Sequence, residues 1–120
     1  MTLSEFVRQY FLCEAPISSF VYDRAKSVMR LDVVLFNRLQ KTFQKGEPNF
    51  LNVRFEFQDV DYYAYNGPRV DKGTIVVYKA LMEGSGRMRL ILFDRLQWRI
   101  HEMSIGARNV QTTVLEPELA

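Results

Sequence analysis

Arg87-Met88-Arg89-Leu90-Ile91-Leu92-Phe93, then Asp94-Arg95-Leu96-Gln97, then Trp98-Arg99-Ile100-His101-Glu102-Met103-Ser104-Ile105 is the stretch whose reading decides the fold. Each flank is rich in β-branched, aromatic and long apolar residues, and each is too short for an ordinary amphipathic helix. The stretch reads as two adjacent antiparallel strands joined by a four-residue loop or a tight turn with a bulge. The second strand carries the chain's single Trp and single His.

Working back from this pair, Thr74 to Leu81 is β-rich, and Glu83-Gly84-Ser85-Gly86 is a turn signal. Strands 74–82 and 87–93 therefore form a hairpin. Asn66-Gly67-Pro68 is a further turn, in a loop that extends to Asp71-Lys72-Gly73. Before it, Leu51, Val53, Phe55 and Phe57 alternate with polar residues, as a half-buried strand requires. At Asp59 the phase slips, and Val60, Tyr62 and Ala64 take the apolar parity. One long bent strand with a bulge is expected here, curving the sheet. Forward from the pair, Gly106 ends the Trp98 strand. Val110, Thr112 and Val114 mark a short last strand at a sheet edge, and 116–120 is a loose tail.

The N-terminal third reads as helical. Leu3, Phe6, Val7, Tyr10 and Phe11 form one apolar stripe, with Thr2 and Glu5 spaced as a capping box, so the first helix runs from Leu3 to about Cys13. Ala15-Pro16-Ile17 interrupts it. Ser18 or Ser19 can cap a second helix carrying Val21, Ala25, Val28 and Met29, and Asp32 is a natural cap for a third carrying Val33, Leu35, Phe36, Leu39 and Phe43. Gly46 and Pro48 end this run. Whether 19–45 is one helix or two is left open by the pattern. The fold class is thus α+β: a single domain over 1–120, helices at about 3–45 packed on a curved, cone-like antiparallel sheet at about 50–115. No internal repeat or low-complexity segment stands out.

The bulk composition excludes several classes. With 16 basic and 14 acidic residues, the net charge of +2 is too balanced to argue for nucleic acid. One cysteine, Cys13, forms no internal disulfide, so a reducing, cytoplasmic setting is the natural expectation. No segment resembles a signal peptide, and no apolar run approaches the roughly 20 residues of a membrane-spanning helix. One His and one Cys without paired spacing argue against a metal site, and no cofactor is implied.

Helices, a long bent strand, and hairpins ending in Met88-Arg89-Leu90-Ile91-Leu92 and Trp98-Arg99-Ile100 resemble the nuclear transport factor 2-like superfamily. The resemblance implies a cone-shaped α+β fold with a concave mouth. Enzymes of the isomerase type in that superfamily line the mouth with a carboxylate base and a tyrosine donor. None of their catalytic positions maps onto this chain residue by residue, and folds of this kind serve enzymes, binding modules and assembly domains alike.

Three sets of side chains are candidates for function. Asp59, Asp61, Tyr63 and His101 could supply an acid–base pair in a cavity. The simpler reading is bulge chemistry for the aspartates and a surface position for His101, beside Arg99 and Met103. Arg54, Lys79, Arg87, Arg89 and Arg99, interleaved with Tyr63, Tyr65 and Tyr78, could bind single-stranded nucleic acid. Cross-strand ion pairing is the simpler reading there. The third set follows from two-sided strands, whose apolar residues lie on both parities. Helices cover one sheet face, and the other needs a partner. That face or pocket is expected to use Tyr62, Tyr78, Ile91, Phe93 and Trp98. The favoured function is a non-catalytic binding or assembly module, a homodimer or a binder of a protein partner, with room for a small apolar ligand.

Overall fold

The computed structural model describes residues 1–68, 74–84 and 86–115. The expected loop through Asp71, Lys72 and Gly73, residue Ser85 of the expected turn, and the expected tail at 116–120 lie outside the described residues. One helix, α1 (Leu3–Gln9), precedes eight strands: β1 (Ile17–Asp23), β2 (Val28–Phe36), β3 (Phe50–Gln58), β4 (Tyr62–Tyr65), β5 (Ile75–Glu83), β6 (Arg87–Asp94), β7 (Arg99–Gly106) and β8 (Asn109–Leu115). They form two four-stranded antiparallel sheets, one ordered β1-β2-β3-β8 and the other β4-β7-β6-β5. An antiparallel sheet architecture with an N-terminal helix is therefore present, but its helical part is a single short element.

The expected helices over 19–45 are strands instead. Met29, Leu31, Val33 and Leu35 are buried and alternate with Arg30, Asp32 and Val34, a strict period of two. β3 supplies the matching register, setting Arg30 opposite Glu56 and Asp32 opposite Arg54. Both pairs close as ion pairs, at 3.1 Å for Arg30–Glu56 and 2.9 Å for Arg54–Asp32. Asp32 is thus a cross-strand partner in mid-strand, not a helix cap. Asn37–Leu39 adds only a single 3-10 turn. Gly46 turns with φ +98, in the irregular segment between β2 and β3.

The first helix is shorter than its stripe suggested, ending at Gln9 with Tyr10 as the C-cap. Its start is as expected: Thr2 accepts from Glu5 N, and Glu5 accepts from Thr2 N. These bonds hold the Glu5 carboxyl below its usual range. Phe11, Leu12 and Cys13 follow outside the helix, and Gln40 fixes them there. Its side chain accepts from Phe11 N at 2.9 Å and donates to Phe11 O at 2.8 Å.

α1 closes one end of the space between the sheets. Phe6 is fully buried, with its ring edge-on to Phe55 at 4.8 Å and to Phe57 at 5.4 Å. A phenylalanine so buried contributes about 1.5–3 kcal/mol by area alone. Inside, Met29, Leu31, Val53, Phe55, Leu90, Leu92, Met103 and Ile105 join one continuous core.

The sheets are joined along one side by a bent two-stranded ribbon. β3 and β4 were expected as one bent strand; they are two, separated at Asp59, which has φ +52. Their partners β8 and β7 break at 107–108. Beyond the break the inward residues are Tyr63 and Tyr65, because Tyr63 pairs with buried Ile105 and Tyr65 with buried Met103. Tyr62 and Ala64 face outward, so the expected apolar parity holds only at Val60. On the other side, residues 14–16 tie the sheets together through a bridge from Pro16 to Val76.

Replacing Phe6 by Ala removes the plug between the sheets. The expected loss is about 3–5 kcal/mol in unfolding free energy, measured by urea denaturation with an unchanged m-value.

Candidate docking face

The site is built on the β6–β7 hairpin. Asp94 ends β6 and pairs with Arg99. Its buried carboxylate accepts from Leu96 N at 2.9 Å and from Gln97 N at 3.2 Å. Trp98 N then donates to Asp94 O at 2.9 Å. Of the two connections expected, this is the four-residue loop, shifted by one residue to 95–98, and its chemistry is an Asx turn. Closing it needs a left-handed residue in the last loop position, and that residue is Trp98, with φ +55. β7 therefore begins at Arg99 rather than at Trp98.

The β1–β2 hairpin repeats the device. Asp23 pairs with Val28, Asp23 Oδ1 accepts from Lys26 N at 3.2 Å, and Ser27 holds φ +53. Asp23-Arg24 and Asp94-Arg95 are the same local signal at two places in the chain. The match between them could have identified the first hairpin from sequence.

A left-handed position costs an ordinary side chain roughly 1–2 kcal/mol, and Gly or Asn normally fills it. Ser27 meets that cost with a small polar residue; Trp98 meets it with the largest side chain available. Trp98 recovers little by burial, since it is 80% exposed. Its ring meets that of Phe93 edge-on at 5.7 Å. Phe93 in turn lies opposite Ile100, which is 63% exposed, and Leu96 at the hairpin tip is 72% exposed. These side chains lie at one end of the outer face of the β4-β7-β6-β5 sheet. Ile91 continues the row on β6. Next to it Arg89 forms ion pairs with Glu83 at 2.9 Å and with Glu102 at 3.5 Å. At the far end Arg87 sits 3.8 Å above the Tyr62 ring.

The outer face of the other sheet also exposes apolar side chains, Val21 on β1 and Phe50 on β3, but ion pairs cross its middle. Arg30–Glu56 and Arg54–Asp32 run across it, and hydrogen bonding to Asp32 pushes the Arg54 guanidinium above its ordinary value. Exposed pairs of this kind are worth about 0–1 kcal/mol each and suit a solvated face.

Of the residues expected at an interface, Tyr62, Ile91, Phe93 and Trp98 share the outer face. Tyr78 stands apart, on a β5 irregularity between Val77 and Lys79, and is exposed. Ile100 belongs to the face and Leu96 is exposed at the hairpin tip beside it, and the sequence reading passed over both. The expected basic face does not form as one patch: Arg54 lies on the other sheet, Arg87 and Arg89 are engaged, and Tyr63 and Tyr65 point inward.

The acid–base candidates separate. His101 has the parity of buried Met103 and Leu92, so it faces the interior and is half-buried, not on the outer surface. Asp59 and Asp61 are exposed at the sheet break. Asp61 N donates to Gly106 O, and Gly106 lies five residues along β7 from His101, roughly 17 Å of strand. No acid–base pair joins Asp61 to His101. Asp61 and Tyr63 line an open cleft of about 490 Å³ with Tyr22, Arg24 and Tyr62. Tyr63 packs on the Tyr22 ring at 4.4 Å, and Tyr65 on Phe20 at 5.0 Å. Burial, then the neighbouring Tyr65 and Tyr22, pushes the Tyr63 phenol up to about 12. Burial, then Asp94, raises that of Tyr65. Neither phenol is poised to exchange protons near neutrality.

Among the described residues no group of three or more His, Cys, Asp or Glu side chains is placed to hold a metal ion, and no helix is long and apolar enough to cross a membrane. Compared with protein-family models, curated proteins and solved structures, the chain matches none of them.

The Tyr63 environment gives a pH dependence of definite sign. The unfolded phenol ionises near 10.0 and the folded one near 12, so the unfolded state loses its proton first. The stabilisation is complete below pH about 10 and is lost as pH rises towards about 12. Tyr63→Phe is expected to flatten this alkaline decline in urea-unfolding free energy. An unchanged decline would show that Tyr63 is not the group responsible.

Proposed function

We propose that this chain is a non-catalytic assembly module that pairs with a second copy of itself through the outer face of the β4-β7-β6-β5 sheet. The observation that carries the reading is Trp98. A tryptophan in a left-handed loop position, 80% exposed, is unfavourable for the isolated fold and becomes favourable when a partner covers it. Phe93, Leu96 and Ile100 widen the patch around it, and aromatic anchors in such a patch carry most of the binding energy at an interface.

A second copy suits this face because the face carries both charge signs. Arg87 and Arg89 lie on it together with Glu83 and Glu102. A two-fold axis through the apolar patch can then set a cation of one copy against an anion of the other, as an isologous interface requires. Catalysis finds less support: Asp61 and His101 lie beyond opposite ends of the β4–β7 ladder, and the phenol of Tyr63, which shares a cleft with Asp61, is raised far from neutrality by burial.

Native mass spectrometry of the wild type and Trp98→Gly tests the proposal. The wild type is expected as a dimer and the variant as a monomer. At dilutions where both are monomeric, the variant's unfolding free energy should be unchanged or raised by up to about 1 kcal/mol, because Gly fits the left-handed position. A monomeric wild type across the accessible concentration range would overturn self-association. A dimer that survives both Trp98→Gly and Ile100→Asp would place the interface elsewhere.

A further inference from the structure

β5 is the outermost strand of its sheet, and its edge is covered only in part. Val77 turns both backbone groups to that edge. Its N–H donates to Ala15 O at 2.9 Å, and its carbonyl accepts from Glu14 N at 2.6 Å. With the Pro16–Val76 bridge, residues 14–16 act as a short antiparallel strand added to β5. At Glu14 the chain leaves the edge through φ +66. The residues before it fold over in a turn, with Ala15 N donating to Leu12 O at 2.9 Å. Among the described residues, Tyr78 to Glu83 have no backbone partner on that side.

Where the added strand stops, a groove begins. Its walls are the C-terminal part of α1 (Val7, Tyr10), the segment after it (Phe11, Leu12) and β5 (Tyr78, Ala80), and it encloses about 400 Å³. The walls are mainly apolar. Lys79 lies in the groove, exposed, with no ion-pair partner among the described residues. Gln40 holds the Phe11 wall in place through its two bonds to the Phe11 backbone.

From this we infer that the free part of the β5 edge is a strand-addition site. Its occupant is an extended segment of a partner protein, lying antiparallel to β5 as residues 14–16 do, with apolar side chains on alternate positions and an acidic residue for Lys79. Open strand edges bind extended chains through backbone hydrogen bonds, and the flanking pocket selects the side chains. The ladder already begun by Ala15 and Pro16 fixes the kind of occupant: a backbone continues it, and a compact ligand would leave the edge groups unpaired. Lys79 pairs with Ile91 and so adjoins the outer face, but the backbone edge of β5 is not part of the Trp98 patch, and neither proposal rests on the other.

The test uses an array of short peptides with Val or Ile at alternate positions and either Asp and Glu or Lys and Arg between them, probed with the full chain. Acidic members are expected to bind, and amide hydrogen exchange over 78–83 should slow when the best of them is added. Lys79→Glu should reverse the preference towards the basic members, and Phe11→Glu should weaken all binding about tenfold or more. Both positions are exposed, so the fold should tolerate both changes. Trp98→Gly should leave peptide binding unchanged, which separates failure here from failure of the dimer. The inference is overturned if no peptide binds, if exchange slows elsewhere, or if Lys79→Glu leaves the charge preference as it was. It is equally overturned if 78–83 become protected with rising protein concentration alone, since a second copy would then occupy the edge.

Discussion

The constraint on which the rest depends is the bend shared by two paired strands. At Asp59 on one and at 107–108 on the other, a single ribbon leaves one sheet and enters the second. The backbone groups at the bend are satisfied locally: Asp61 N donates to Gly106 O at 3.0 Å, Arg108 N to Gln58 O at 3.1 Å, and Val60 N to Ser27 O at 2.9 Å. Glycine suits position 106, because a Cβ there would displace the Asp61 carboxylate and press on Gly86 O. Once the ribbon is bent, the inner faces of the two sheets oppose each other, Phe55 and Phe57 come under Phe6, and one core serves both sheets.

The bend also divides the surface. One outer face is crossed at its middle by ion pairs between β2 and β3, with Val21 and Phe50 exposed around them. The other ends in Phe93, Trp98 and Ile100. The two hairpins that close the sheets use the same Asp-based turn, so the difference between Ser27 and Trp98 at equivalent left-handed positions is not demanded by the turn. Local strain kept at a residue that gains little in the isolated fold points to a contact outside it.

Much of the sheet was legible in the sequence because its signals are local. Alternation from Phe50 to Phe57, the turn at Glu83 to Gly86, and the strand pair around Asp94 each show within a few residues. The segment 17–36 was not, because Val21, Ala25, Val28 and Met29 also fit a helical stripe. What decides between the two readings is β3, whose Arg54, Glu56 and Phe57 lie about two dozen residues downstream and match β2 only once paired. Among the candidate site residues, Phe93, Ile91 and Trp98 share one outer sheet face, and the two-sided apolar pattern of their strands is what singled them out. Ile100 and Leu96 were missed, since neither is unusual until the hairpin exposes it. The inward turn of Tyr63, Tyr65 and His101 depends on parity beyond a break that the sequence marks only as a slip.

Trp98 is the only tryptophan in the chain and stands in the middle of the proposed contact. Its fluorescence therefore reports directly on whether that face is covered. On dilution of the wild type, the emission should move from a short-wavelength, buried position to a long-wavelength, hydrated one, over the same concentrations at which the dimer dissociates. Emission typical of hydrated tryptophan at every concentration, with a dimer still present, would contradict the pairing of two copies through this sheet.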